Sequence, residues 1–459
     1  MSAHELNTEE RREAYQSAFF HEALNKLLVT CGPMDRTGKL VFGALLIVAG
    51  VGLVAFVWQL IHGLAVTAMG DYFSWGIYIV DFVFFIGISM AGTLISALLR
   101  LSGAEWRSPI TRMAEAVTVC SLLIAAPMII MDMGRPDRIL NTIIHARFQS
   151  PILWDVLSLN TYLAGSLLYL YLPLIPDIAI LRDQKGRFSR RTQRMYRILA
   201  LGWHGSDEQR RRLEKGISIM ALAIIPVAIS IHTVTAWLFG LTVRPGWHST
   251  IIGPDFVVGA IYSGTAAVIT VMALFRRVFH LEKYLEPLHF RKLAWLLLGA
   301  GFVYMYFTLN ELIGGVYTKE LGDQHLLESI FSGAYAVQFW GMVVLGLLVP
   351  SLLLLIPRTR TLPGIVTASL LVNVGMWLKR FIIVVPTLAS PYMPANQTSS
   401  SFLAYRPSWV EWAITAGAFA MFGVFYILFS RFFPVISIWE LAEEHHIQLL
   451  NSEEVDNVA

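Results

Sequence analysis

The stretch Met131-Asp132-Met133-Gly134-Arg135-Pro136-Asp137-Arg138, continued at Ser150-Pro151-Ile152-Leu153-Trp154-Asp155 and Asn160-Thr161-Tyr162, sets acids and arginines between two strongly apolar runs. Those runs, 113–132 and 152–176, each reach the roughly 20 residues that a helix needs to cross a bilayer. The charges therefore sit at a membrane edge, where a charge is costly unless it is paired, hydrated or used.

The rest of the chain agrees with that reading. Of its 459 residues 56% are hydrophobic and 15% charged, and the mean hydropathy is +0.59; soluble domains carry about 25% charge. The composition predicts an all-α polytopic membrane protein. Ten spans are expected at 40–62, 75–99, 113–132, 152–176, 217–241, 254–275, 293–316, 329–356, 363–388 and 409–433. Before them, 1–37 forms a polar cytoplasmic segment whose residues 8–30 read as an amphipathic helix, capped by Asn7 or Thr8. It has no apolar core segment of the kind a signal peptide needs. The membrane domain occupies 38–435, and 436–459 is an acidic cytoplasmic tail.

Orientation follows from lysine and arginine. With the N-terminus inside, 27 of the 35 fall on the inner side, six on the outer side, and two, Lys379 and Arg380, within a span. That asymmetry predicts that both termini lie in the cytoplasm. The basic inner loop 182–216 suits lipid headgroups or a partner subunit; nothing in the chain asks for nucleic acid. Asp81-Phe82-Val83 recurs as Asp255-Phe256-Val257, and the Arg112/Asp132 pair bounding span 3 recurs as Arg291/Glu311 around span 7. Each repeat lies four spans on. The expectation is two four-helix bundles, spans 2–5 (75–243) and 6–9 (250–389), related by a pseudo-twofold along the membrane normal, with spans 1 and 10 flanking.

Topology puts Asp81, Asp132, Asp155, His232, Asp255, Glu311, Lys379, Arg380 and Glu411 on one side of the membrane. Toward the inner side the acids are Glu115 and, at the edge of span 4, Asp177. Any one such residue fits an intrabundle salt bridge as well as a functional role, and Lys379 is expected to snorkel to the interface. Several acids, two cations and a histidine at one depth favour a site. Such a pocket can take the two protons of a hydroxylated ring, which suits a quinol headgroup, with a carboxylate and either a second carboxylate or His232 as acceptors. Arg380 keeps its charge and must find an acid, a carbonyl or a ligand oxygen. His232 is the only histidine clearly within a span, which argues against a bis-histidine haem, and Cys31 and Cys120 are too few for an iron–sulfur cluster. Electrons must then leave to a partner. The alternative class is a proton-coupled transporter or a structural anchor without a quinone site, since parallel repeats with paired charges fit a transporter too.

Asp132-Met-Gly-Arg-Pro-Asp-Arg138 resembles the D/H-[LIM]-G-R-P-x-R signature of the NrfD/PsrC family of membrane quinol-interacting subunits. Ser150-Pro151-x-x-Trp154, Pro245-Gly246-Trp247-His248-Ser249-Thr250, Trp377-Leu378-Lys379-Arg380-Phe381 and Tyr405-Arg406-Pro407-Ser408-Trp409-Val410-Glu411-Trp412 resemble further blocks. Together they cover nearly all of 40–440. Ten spans with the last block are most similar to the ActC/ActF subunits of alternative complex III and to the membrane subunit of the menaquinone reductase complex, although ActC-like members often carry histidine at the position of Asp132. The resemblance implies a menaquinone/menaquinol pocket near the outer face and no haem or iron–sulfur cluster of the chain's own. It implies an iron–sulfur subunit on the periplasmic face, a multihaem cytochrome c and a second NrfD-like membrane subunit as partners. The catalytic groups would be Asp132, Asp155 and His232. The quinol would touch Asp81, Asp132, Arg135, Trp154, Asp155, Tyr162, His232 and Arg380. Glu115, Asp255 and Glu311 would form a proton path, with the loop 135–147 as the pocket's lid.

Overall fold

Ten helices in the computed structural model are long and apolar enough to cross a membrane. They are α1 Arg36–His62, α2 Ile77–Leu101, α3 Ser108–Asp132, α4 Pro151–Asp183, α5 Asp207–Gly240, α6 Ile252–Val278, α7 Pro287–Thr318, α8 Ala336–Leu355, α9 Leu362–Ala389 and α10 Trp409–Phe432. The structure describes residues 24, 26–28, 30–70, 73–184, 186–242, 244–390 and 405–441, and no strand occurs among them. The amphipathic helix expected over 8–30 and all but the first residues of the expected C-terminal tail lie outside the described residues.

Every expected span is a helix, and several run further than their apolar cores. α5 begins ten residues before its expected start, where Ser206 caps it by accepting the Gln209 backbone N–H and acids occupy the first turn. α4 continues to Asp183. Polar residues at those ends satisfy the helix without needing lipid. The eighth span differs. The chain breaks at Ser332-Gly333, so 329–331 end a separate helix, Leu321–Phe331, and α8 starts only at Ala336. Trp340 Nε1 reaches back to the Phe331 carbonyl at 3.0 Å. Within α8, Met342–Leu348 forms a π turn.

α2 is the most enclosed helix. It packs on α3, α5, α6 and α9, and more lightly on α10. The chain places Gly92 at its closest approach to α3, where an added Cβ would fall 2.1 Å from the Ala114 carbonyl oxygen. α4 bridges α3 and α5, while α7 and α9 flank α6 and α8 packs on α9. α1 pairs chiefly with α10 and leaves most of its surface apolar and exposed, as suits lipid.

At the end opposite the loop 133–150, Arg112 pairs with the buried Asp177 and donates to the Pro173 carbonyl at 2.8 Å and Ser437 Oγ at 3.1 Å. Asp177 also accepts the backbone N–H groups of Ile438 and Trp439 at 3.2 and 3.0 Å. Glu440 meets Arg100 at 2.8 Å and Arg107 at 3.5 Å. Residues 436–441, which the sequence places at the start of an acidic cytoplasmic tail, are thus packed across α2, α3 and α4, with Ile436 and Ile438 buried.

Candidate functional site

The buried charges expected at one depth fall into three groups rather than one. In the first, α2, α3 and α10 meet. Asp81, fully buried, accepts from Trp377 Nε1 at 2.8 Å and Thr415 Oγ1 at 2.6 Å, so α9 and α10 both hold it. Asp132 closes α3 and leaves Oδ1 buried without a partner. Glu411 opens α10 in a reciprocal cap with Ser408 and also accepts from Tyr405 Oη at 2.5 Å and the Ala68 N–H at 2.8 Å. Tyr78 donates to Gln59 at 2.6 Å, and Gln59 to the Met131 carbonyl at 2.8 Å, tying α1 into this corner.

The second group lies between α2, α4 and α5. Asp155 accepts from Thr235 Oγ1 at 2.6 Å. His232 has one ring nitrogen 2.7 Å from the Ala228 carbonyl and the other 3.1 Å from that of Ile86. Tyr162 stands edge-on to His232 with ring centroids 6.4 Å apart, and its hydroxyl lies 3.0 Å from Thr93 Oγ1 and 3.1 Å from the Ser89 carbonyl. Asp155, through Thr235, and Tyr162, beside His232, thus both meet α5, whereas Asp132 lies at the end of α3 in the first group.

The third group joins α6, α7 and α9. Lys379 does not snorkel. It is buried and binds Glu311 Oε2 at 2.8 Å, because the acid one helix away offers a closer partner than the interface does. Arg380 points the other way, with its guanidinium carbon 4.8 Å above the Phe256 ring, Nη1 unpartnered, and no ion pair among the described residues. It fits there because Gly87 and Gly259 leave room, an added Cβ on Gly259 lying 3.1 Å from its Nη2. Asp255 opens α6 with Oδ1 buried and unpartnered.

A cavity of about 510 Å³ lies beside this third group. Its walls are the turn 246–251, α7 from Tyr306 to Thr318, and the helix Leu321–Phe331. Two narrow recesses share Gly246 and Glu311 with it; one reaches Asp255 and Phe256, the other Lys379 and Thr387. The cavity therefore has a polar head of Glu311, Asp255 and Lys379. Tyr306 lines it and, with Leu309, Ile313 and Val316 of α7, is exposed on the apolar flank that faces lipid.

Three expected residues stand apart. Arg135 is exposed and forms a two-point pair with Asp137, at 3.0 and 2.9 Å, which holds the Asp137 carboxyl below its usual range. No residue of 133–150 lines the cavity. Trp154 Nε1 donates to the Phe148 carbonyl at 2.5 Å and its ring abuts Trp237, so it anchors the loop. Glu115 lies toward the opposite end of the bundle, accepting from Ser96 at 2.5 Å, with Tyr169 Oη 3.1 Å from the same hydroxyl. Sequence reasoning passed over the cavity wall Leu321–Phe331, whose apolar residues run straight into the next span. It also passed over Asp323 and Glu320 and gave His248, quoted only within the Pro245–Thr250 block, no role, because a single acid at the start of a short helix carries no signal by itself.

Ten apolar helices with charges gathered inside them define an integral, multi-pass membrane protein. Residues 65–391 match the family described as polysulphide reductase, NrfD, and the chain belongs to that family. It is 29% identical over 431 residues to the membrane subunit of a putative dimethyl sulfoxide reductase of Halobacterium salinarum, covering 90% of this chain and 94% of that one. It is 25% identical to a selenate reductase subunit of Mesobacillus selenatarsenatis, covering 89% and 96%. With the Hdr-like menaquinol oxidoreductase integral membrane subunit of Archaeoglobus fulgidus it shares 23% over 88% and 96% of the two chains.

Proposed function

We propose that the chain is the quinol-binding membrane subunit of an electron-transfer complex, exchanging electrons between menaquinol and an iron–sulfur partner outside the membrane. One observation carries this reading: a cavity of about 510 Å³, open beside the lipid-facing flank of α7, leads to the half-buried Glu311 carboxylate, the buried Asp255 and a buried ammonium. Ligand pockets commonly span roughly 300–1,000 Å³. A ring enters from the lipid with its isoprenoid tail left along Tyr306, Leu309 and Ile313. The names of the relatives in reductase and menaquinol oxidoreductase complexes support the same class.

In this reading the two hydroxyl protons pass to Glu311 and Asp255. Glu311, 2.8 Å from the Lys379 ammonium, gives one acceptor, and the open Oδ1 of Asp255 gives the second. Arg380, behind Phe256, stabilises negative charge as the ring oxygen loses its proton. The reading places no redox centre within the chain, so both electrons leave to the partner. Leu140, Ile143, Ile144 and Phe148, exposed on the loop 133–150, offer that partner an apolar landing. Ser96, Tyr169 and Glu115 form a cluster toward the inner side, and Glu115 is the acid proposed there for a proton path. The lysine and arginine distribution supports cytoplasmic termini.

Asp255→Asn and Asp155→Asn, each in the purified complex, test where the chemistry sits. Asp255→Asn is expected to cut menaquinol-dependent electron transfer by about 100-fold, with the complex still assembled, while Asp155→Asn retains most of it. The reverse result moves the site to the Asp155–Tyr162–His232 group. Full turnover in both variants sinks the quinol assignment.

A further inference from the structure

We propose that His248, Asp323 and Glu320 bind one divalent transition-metal ion at the mouth of the cavity. His248 follows the turn Pro245-Gly246-Trp247, which is fixed from both sides. Trp247 Nε1 donates to the Ile383 carbonyl of α9 at 2.6 Å, and the Gly246 N–H donates to Asp323 Oδ1 at 3.1 Å. Gly246 has φ +78°, a left-handed conformation that glycine adopts without strain. The histidine is thus carried on a stiff support.

Its ring is oriented as a metal ligand's is. Nδ1 lies 3.1 Å from the Arg244 carbonyl, so Nδ1 carries the hydrogen and the lone pair sits on Nε2. Nε2 faces Asp323 Oδ2 at 3.8 Å and Glu320 Oε2 at 3.9 Å. Both separations are too long for a hydrogen bond. Asp323 is 7% exposed, spends Oδ1 on the Gly246 N–H and turns Oδ2 toward the imidazole at the cavity mouth.

The three ligand atoms lie within 4.8 Å of one another. Ligands bonded at about 2.0–2.2 Å to one tetrahedral ion stand roughly 3.3–3.6 Å apart, so small side-chain rotations close the set. One imidazole with two carboxylates suits zinc better than calcium, which prefers six to eight oxygens. Water fills the remaining position. The ion would join the turn before α6 to the helix Leu321–Phe331, the two segments that face each other across the cavity mouth.

The site stands without the quinol reading and is tested without quinol. The full chain is purified in detergent, stripped with EDTA, titrated with ZnCl2 and then desalted. One zinc per chain should remain, with thermal unfolding shifted upward by several degrees. His248→Ala should weaken zinc binding by at least about tenfold while unfolding, metal-free, at the wild-type temperature, because the ring is exposed. Asp323→Asn should abolish retention. Sub-stoichiometric zinc in the wild type, undiminished binding in His248→Ala, or equal stabilisation by CaCl2 in both proteins would each overturn the proposal.

Discussion

Lys379 and Glu311 form a pair whose two members differ in their access to water. The lysine side chain is 4% exposed and the glutamate 32%. Removing Glu311 strands a buried ammonium, whereas removing Lys379 leaves a carboxylate that can hydrate. Glu311→Gln should therefore cost about 3–5 kcal/mol, and Lys379→Met distinctly less, measured by thermal unfolding in detergent. Equal losses would mean that the pair is hydrated from both sides. The presence of buried charge was legible in the sequence, because a lysine and an arginine inside an apolar span have few alternatives. The partners were not. Which acid Lys379 meets depends on how α7 is rotated against α9, and a run of apolar residues leaves that rotation open. The same holds for Asp81, whose partners Trp377 and Thr415 come from helices roughly 300 residues away in sequence. Hydroxyls and indoles scattered through spans carry no pattern until the helices are packed.

Helices read well where an apolar run is bounded by polar loops, and less well where two run together. Span 8 looked continuous because Ile330 and Phe331 are as apolar as α8 itself; only Ser332-Gly333 marks the break, too brief to interrupt a hydropathy window. The missed helix is a wall of the cavity, so an error in one boundary hid the site's best-formed feature. Further along α8, Gly346 lies in the π turn and meets Gly375 of α9 backbone to backbone. A Cβ on Gly375 would fall 2.1 Å from Gly346 Cα, and backbone atoms cannot rotate aside. The Tyr262 hydroxyl meanwhile holds the Gly346 carbonyl at 2.8 Å from the α6 side. Gly375→Ala should accordingly force α8 and α9 apart at a cost of roughly 1–3 kcal/mol or more. A lowered unfolding temperature would register it; an unchanged one would show that the two helices slide freely.

Across the molecule, the described segments just ahead of α1 and just after α10 are built into the bundle. Burial pushes the Glu440 carboxyl up, but the Arg100 and Arg107 guanidiniums outweigh that and hold it below its usual range. A depressed folded-state pKa contributes stability above the unfolded value and loses it as pH falls through the folded one. Glu440→Gln should thus lower stability by roughly 3 kcal/mol. The gap from wild type should stay flat between about pH 8 and 5 and narrow only below about pH 4. A gap that closes near neutrality would place the glutamate in solvent. α1 shares this dependence on distant sequence in another way. It packs chiefly on α10, and Arg431 of α10 donates to the Thr30 and Gly32 carbonyls just ahead of α1. During synthesis α1 leaves the ribosome first and its partner last, so for most of translation it must persist alone in lipid. Its window is the most apolar of the ten, and residues 40–62 contain no Asp, Glu, Lys or Arg. The first helix is thereby equipped to wait, and assembly is completed only when the final one arrives to clasp it.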